Sequence, residues 1–315
     1  MATLGETLAA AERRLRASGI PTPRLDAEVL LLASSGLTRV QFATARDAPL
    51  EPSVASRFAA LVERRARREA VAYLVGEKEF WSLPLAVGPG VLVPRPETES
   101  VVEVALRRLE SSAIRAAAVP GSSLSRVASG EARRAPLRVI DVGTGSGAIA
   151  LALSRELARS GPGAAAVVVG IDASPDALRV AAANAARHAG PGGARVRLVR
   201  GDLVAALAAG SVDLVVSNPP YLSEAELRAA PGDLGFEPEL ALIGGGEDGL
   251  DVLRRLLAGA ARVLRPGGWV VAEIGSGQGR AAEAAARAAG FFEVSVSRDL
   301  AGLDRVLAAR RGEGR

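Results

Sequence analysis

Four consecutive residues, Asn218, Pro219, Pro220 and Tyr221, carry the most distinctive chemistry in the sequence. They follow an apolar run over residues 212–216 that reads as a strand. Neither proline can extend it, because each lacks the backbone N–H that a ladder requires. The segment therefore offers the Pro219 carbonyl with no competing amide hydrogen alongside, and the Asn218 side chain adds a second carbonyl acceptor. Two acceptors on a rigid loop suit a nucleophile bearing two N–H hydrogens, an amide or an aromatic amine, and Tyr221 supplies a flat face for a planar group. With both hydrogens held, the nitrogen lone pair is aimed at an electrophilic carbon such as a sulfonium methyl. No strong base is needed at the outset, because the departing proton becomes acidic only as nitrogen gains its new bond. Positioning and carbonyl dipoles would carry the catalysis. A proline turn that merely ends a strand is the plainer reading of the same residues.

A second cluster supplies a place for a nucleoside. Gly143, Thr144, Gly145, Ser146 and Gly147 follow the apolar run Val139-Ile-Asp-Val142 and open a helical pattern. Glycines here permit a tight turn and close approach of a ligand to the backbone. Gly143, Gly145 and Ala148 also satisfy the dinucleotide fingerprint, so a nicotinamide cofactor stays open beside an adenosyl one. Asp172 ends the next apolar run, where its two carboxylate oxygens can hold two ribose hydroxyls of either cofactor. After a third run, Asp202 is placed to accept from an adenine amino group and Leu203 to pack on the ring. Asp202 equally suits the N-cap of a short helix over 204–208.

These residues imply the elements that must position them. Strands are predicted over Leu137–Val142, 166–171, 195–199, 212–216 and 269–274, with helices over 148–158, Pro175–Arg187, 250–264 and 278–289. Such alternation implies an α/β fold, a doubly wound and mostly parallel sheet with helices on both faces. Residues 291–296 and 305–308, joined without an intervening helix, would close it as an antiparallel pair. Ligands on such a sheet sit beyond the carboxyl ends of the strands, where strand order reverses. Ahead of this domain, residues 1–76 place Leu8, Leu15, Leu30, Phe58 and Val62 at helical spacing. Prolines and glycines divide the segment into about four short helices, a small helical domain. Residues 77–95 hold short β-like runs broken by Pro84 and by Gly88-Pro89-Gly90, a β-hairpin linker. The remaining domain spans 96–315; it opens with a helix over 96–109, and residues 111–136, rich in Ser, Ala, Gly and Arg, read as a flexible insertion.

Composition narrows the function classes. The chain has no cysteine and a single histidine, His188, which excludes disulfides, thiolate metal sites, cysteine nucleophiles and a multi-histidine cluster. A net charge of +4 permits nucleic-acid contact without demanding it, and Lys78 is the only lysine among 39 basic residues. The N-terminus lacks the apolar core of a signal peptide, and no apolar run reaches the ~20 residues of a membrane span. A cytoplasmic location, without membrane association, is expected.

The glycine turn, Asp172 and Asn218-Pro219-Pro220-Tyr221 together resemble the class I methyltransferases that modify amide and exocyclic amine nitrogens. Two further stretches, Val71-Ala-Tyr-Leu-Val-Gly-Glu-Lys-Glu-Phe-Trp81 and Val91-Leu-Val-Pro-Arg-Pro-Glu-Thr-Glu99, are similar to the peptide chain release factor N5-glutamine methyltransferases, the PrmC/HemK family. The resemblance implies a Rossmann-like fold and S-adenosyl-L-methionine as cofactor. It implies methyl transfer to the glutamine of the Gly-Gly-Gln tripeptide of class I release factors. Gly143 to Gly147, Asp172, Leu203 and Asn218 would line the cofactor site, Asn218 to Tyr221 would hold the glutamine amide, and the N-terminal helices would dock the protein substrate. Many relatives carry an aromatic residue where Leu203 stands. The sister activity on a glutamine of a large-subunit ribosomal protein shares the same loop, and Pro96-Glu-Thr-Glu99 favours the release factor. An adenine-amino DNA methyltransferase would need a base-recognition segment, and none is evident, so no direct nucleic-acid substrate is expected. A nicotinamide-dependent dehydrogenase would leave residues 218–221 without a role.

Overall fold

The computed structural model describes residues 2–118, 136–159, 166–190, 195–230 and 232–313. It divides into two compact units, one formed by residues 1–77, 87–89 and 231–237 and the other by 78–86, 90–230 and 238–315. The smaller unit holds five helices, α1 (Leu4–Ala17), α2 (Pro23–Ser35), α3 (Arg39–Thr44), α4 (Pro52–Ala66) and α5 (Val71–Val75). Thr3 opens α1 with a reciprocal cap to Glu6, and Pro23 and Pro52 stand in the first turns of α2 and α4, where no intrahelical N–H is needed. Leu8, Leu15, Leu30, Leu31 and Phe58 recur at helical spacing and form its core. Arg65 is buried within this unit and donates to Asp26 at 2.7 Å and to Asp233 at 2.9 Å.

In the larger unit, β1 (Glu77–Phe80) and β2 (Leu83–Ala86) form a two-stranded hairpin. Trp81 and Ser82 turn it with φ of +53° and +56°, the sense that matches strand twist but that side chains resist. Two anchors hold that turn: Trp81 N donates to Glu99 Oε1 at 2.7 Å, and its indole Nε1 to Glu156 Oε1 at 3.1 Å.

The main sheet has seven strands: β3 (Leu137–Val142), β4 (Ala166–Asp172), β5 (Val196–Arg200), β6 (Val212–Ser217), β7 (Leu264–Glu273), β8 (Phe291–Arg298) and β9 (Asp304–Arg311). Their order is β5-β4-β3-β6-β7-β9-β8. All pairings from β5 to β7 are parallel, while β9 runs antiparallel to both its neighbours. One antiparallel strand is therefore inserted between two that share a direction, a more specific arrangement than an antiparallel closing pair.

Side chains alternate across this sheet with the period of two that a strand imposes. Leu214, Val216, Trp269, Val271, Val306 and Ala308 face one core, shared with the hairpin, α6 (Glu99–Ala118) and α7 (Ala148–Arg159). Val215, Val270, Ala272, Leu307 and Ala309 face the other, closed by α10 (Asp251–Val263) and α11 (Gly279–Ala288). The remaining helix of the alternation, α8 (Pro175–Arg187), packs on β2, β4 and β5.

Several boundaries differ from expectation for physical reasons. Helix α6 continues to Ala118, through residues assigned to the flexible insertion, because Ser-Ser-Ala-Ile-Arg-Ala-Ala-Ala contains no breaker and four alanines; residues 119–135 lie outside the described residues. Strand β7 begins at Leu264, five residues early, with Arg265-Pro-Gly-Gly268 accommodated by a register shift against β6. No helix forms over 204–208. The stretch between β6 and α10, given no element from the sequence, contains α9 (Glu224–Ala229), whose Ser223 and Glu226 cap each other. That Ser-x-x-Glu pattern is a start signal the apolar periodicity did not reveal.

Candidate active site

From β3 the chain winds outward through β4 to β5, then returns to β6 on the other side of β3. The sheet's order reverses between β3 and β6, and beyond the carboxyl ends of these strands lies a cavity of about 330 Å³, within the small-molecule range. Its wall takes Gly143, Thr144, Gly145 and Ser146 from the first turn, Asp172 from β4, Asp202 and Leu203 after β5, and Asn218 and Pro220 after β6. Gly147, Pro219 and Tyr221 are not among the residues that line it.

The first turn is folded back on its neighbour strand: Gly143 N and Thr144 N both donate to Ile171 O, at 2.8 and 3.0 Å. Gly143 has φ of +69°, and a Cβ built on it would meet no atom within 4 Å, so the space beside the turn is open to a ligand. Asn184 on α8, fully buried, braces the turn by donating to Ser146 O at 2.8 Å, while its amide also pairs with Ala86 N and O.

Asp141, beneath the turn, is completely buried; its Oδ2 accepts from Thr144 Oγ1 at 2.6 Å and from Ala150 N at 3.1 Å, and its Oδ1 has no partner. Burial pushes this carboxyl up to about 7; the two hydrogen bonds oppose the rise, and the nearby Asp172 charge adds to it. Asp172 accepts one backbone N–H on each oxygen, from Gly145 at 2.9 Å and from Ser174 at 2.9 Å. A carboxylate oxygen has two lone pairs, so one on each remains for the two hydroxyls of a ribose. Asp202 is exposed and ion-paired with Arg255 at 2.6 Å, and both residues line the cavity. Leu203 is held at φ of +48°, a strained conformation for a bulky residue, of the kind that collects at ligand sites.

At the end of β6, Ser217 Oγ donates to Val142 O at 2.7 Å and ties the loop to the first turn's strand. Asn218 Nδ2 donates to Thr98 Oγ1 at 3.1 Å, and Thr98 Oγ1 in turn donates to Glu273 Oε2 at 2.6 Å. Tyr221 sits behind the loop, its hydroxyl hydrogen-bonded to Glu273; burial, then the negative charge of Glu273, push it up to about 12. Burial likewise raises the Glu273 carboxyl above its usual range, against the Thr98 hydrogen bond and the charge of Arg305. Gln278 donates to Tyr221 O at 2.8 Å and to Asp248 O at 2.7 Å, clamping the loop to the glycine-rich segment 244–249. At Gly249 a Cβ would stand 2.1 Å from Tyr221 O, so only glycine lets the two backbones lie this close.

The structure thus brings the glycine turn, Asp172, Asp202, Leu203 and Asn218 around one cavity. Thr98, Glu273, Gln278 and Arg255 were not singled out from the sequence. A carboxylate closing the apolar run Trp269-Val-Val-Ala-Glu273 was a readable signal, because an acid is rarely buried without a partner.

The residues present fit an adenosyl sulfonium. Asp172 retains acceptors for a ribose, and the turn leaves open space beside Gly143. Comparison with known proteins agrees. The family model described as PrmC N-terminal domain matches residues 6–76, and the one described as Methyltransferase small domain matches residues 128–231. A release factor glutamine methyltransferase of Moorella thermoacetica is 44% identical over 99% of this chain and 99% of its own. Proteins of the same name from Xylella fastidiosa and Salmonella typhimurium are 43% and 36% identical, covering 91% and 92% of this chain and 93% and 92% of theirs.

Proposed function

The chain belongs to the release factor glutamine methyltransferase family, and on that premise we propose how its residues divide the work. The reaction is transfer of a methyl group from S-adenosyl-L-methionine to the side-chain amide nitrogen of the glutamine in the Gly-Gly-Gln tripeptide of class I peptide chain release factors. The observation that carries the assignment of roles is that Asn218 and Pro220 share one cavity wall with Asp172 and the glycine turn. An amide held at residues 218–220 is therefore adjacent to a cofactor held by Gly143 to Ser146 and Asp172.

S-adenosylmethionine supplies an activated methyl on a positively charged sulfur. Asp172 anchors the ribose through its two remaining lone pairs, and Leu203 packs on the adenine. Asp202 accepts from the adenine amino group only by sharing its carboxylate with Arg255. Asn218 Oδ1 and the Pro219 carbonyl each accept one N–H of the glutamine amide, which fixes the nitrogen and turns its face toward the methyl carbon. As the N–C bond forms and the methyl–sulfur bond breaks, positive charge grows on nitrogen, and these two carbonyl dipoles would stabilise it. The proton lost afterwards needs no dedicated base, since the alkylated amide is strongly acidic. Tyr221 backs the loop, with its hydroxyl committed to Glu273.

The helical unit serves to dock the protein substrate, and the domain from residue 96 onward performs the transfer. A cytoplasmic location follows from the substrate class, and among the described residues no helix is long and apolar enough to cross a membrane. Nucleic acid is not a substrate in this reading. Incubation with radiolabelled S-adenosylmethionine and, separately, a class I release factor, ribosomal protein and duplex DNA tests it. Label on the release factor glutamine is expected; label confined to DNA or to ribosomal protein would refute it.

A further inference from the structure

We propose that Thr98 and Glu273 are positioning residues that set the direction of the Asn218 amide, so that its oxygen and not its nitrogen is presented to the substrate. The inference rests on the functional reading above and adds to it the reason the loop works as an acceptor.

An asparagine side chain has two nearly isosteric ends of opposite character, and a rotation of half a turn exchanges them. Only the oxygen end can accept an N–H from a glutamine amide; the reversed amide would confront that nitrogen with two further N–H hydrogens. Something must choose between the ends, and the choice runs through a chain of protons. Glu273 is 1% exposed, at the carboxyl end of β7. As a carboxylate it has no hydrogen to give, so the single hydrogen of Thr98 Oγ1 goes to Glu273 Oε2, 2.6 Å away. Thr98 Oγ1 is left with lone pairs alone on its other side, and the atom 3.1 Å from it must then be a donor, Asn218 Nδ2. Oδ1 is consequently left for the cavity that Asn218 lines. Reversal would set two lone-pair-bearing oxygens against each other with no hydrogen between them, inside a buried network where such a mismatch is costly.

Every group around Glu273 bears on this choice. Tyr221 and Thr98 bond it from the loop and from the turn before α6, Arg305 on β9 faces it with positive charge, and Glu97 faces it with negative charge. The positive charge of Arg95 acts on Tyr221, and Arg305 is itself held by Asp299 at 3.0 Å. Protonation of Glu273 would break the rule of direction. A carboxylic acid can donate to Thr98, Thr98 can then donate onward to Asn218 Oδ1, and the amide can present its N–H end to the substrate. Burial brings that protonation nearer to neutral pH than for an ordinary glutamate.

The test uses the full chain with a class I release factor and S-adenosylmethionine, comparing Thr98→Ser and Thr98→Val. Serine keeps the hydroxyl, whereas valine keeps the shape without it. For Thr98→Ser, kcat is expected to stay within about threefold of wild type, as the hydrogen bonds are retained. For Thr98→Val, kcat should fall about 10- to 100-fold, the effect of losing one buried orienting hydrogen bond, with the cofactor Kd unchanged. Wild-type kcat should decline on the acid side with one protonation, and Thr98→Val, uncoupled from Glu273, should lose that limb. Full activity in Thr98→Val, an acid limb identical to wild type, or equal losses in both variants would overturn the relay. Failure of the wild type to label glutamine would instead overturn the functional reading beneath it.

Discussion

Asp141 makes the stability of the cofactor-free protein depend on pH in a way that one substitution can isolate. Its carboxyl is fully buried, and burial carries it from 3.8 to about 7. The folded state therefore binds a proton more tightly than the unfolded chain. The resulting stabilisation is fully present below about pH 4 and is lost as pH rises through 7. Integrated over that interval, it amounts to about 4 kcal/mol at the most, and to roughly 2.5 kcal/mol between pH 5 and 8. The exposed Glu63 and the partly buried Asp299, held low by hydrogen bonds from Arg14 and from Leu303 N respectively, run in the opposite sense and lose their contribution in acid. Asp141→Asn separates the two effects. Its oxygen can accept from Thr144 and Ala150 as Oδ2 does, while its amide nitrogen takes the place of the unpartnered Oδ1. Urea unfolding of both proteins at pH 5 and 8 should show the variant gaining on wild type by roughly 2.5 kcal/mol as pH rises. A variant-minus-wild-type difference in unfolding free energy that does not rise between pH 5 and 8 would refute the assignment of a neutral Asp141 to the free protein. Saturating S-adenosylmethionine, whose positive charge favours the carboxylate, should shrink the effect.

Other perturbations separate binding from transfer and from folding. Asp172→Ala removes both ribose acceptors, so the cofactor Kd measured by calorimetry should weaken by about 10-fold or more; an unaltered Kd would count against the ribose role. Asn218→Ala should lower kcat by about 100-fold or more through loss of a transition-state dipole, while cofactor binding persists. Single-turnover labelling beside a binding isotherm checks both halves. Asn184→Leu strands Ala86 N, Ala86 O and Ser146 O without their partner, and should cost about 2–4 kcal/mol in urea unfolding, well before any effect on chemistry is considered.

The main sheet was legible because its strands are short apolar runs set between helical periods, and parallel strands buried on both faces must read that way. Strand order was not legible. The insertion of β9 between β7 and β8 depends on which neighbour offers a free edge, and no local pattern records it. The stretch from Leu222 to Leu250 was opaque for a different reason. It is held by single backbone bonds, Leu222 N to Leu242 O and Gly244 N to Leu222 O, and by close backbone approach at Gly249, not by an apolar stripe.

The candidate site shows the same division at the scale of one side chain. Asn218-Pro219-Pro220-Tyr221 announced two acceptors, and the glycine turn and Asp172 announced a nucleoside. Residue types alone, however, leave the Asn218 amide free to face either way. Its direction comes from Thr98, 120 positions earlier, and Thr98 answers to Glu273, 175 positions later still. Thr98 lies in the Pro94-to-Glu99 stretch that carried the family resemblance, where nothing local indicates a part in the chemistry. Read in three dimensions, that stretch and the buried acid of β7 have a common task. An acceptor site of this kind needs an acceptor-only group behind it, here the Glu273 carboxylate, because a group with no proton to give compels the hydroxyl between them to point away from the asparagine.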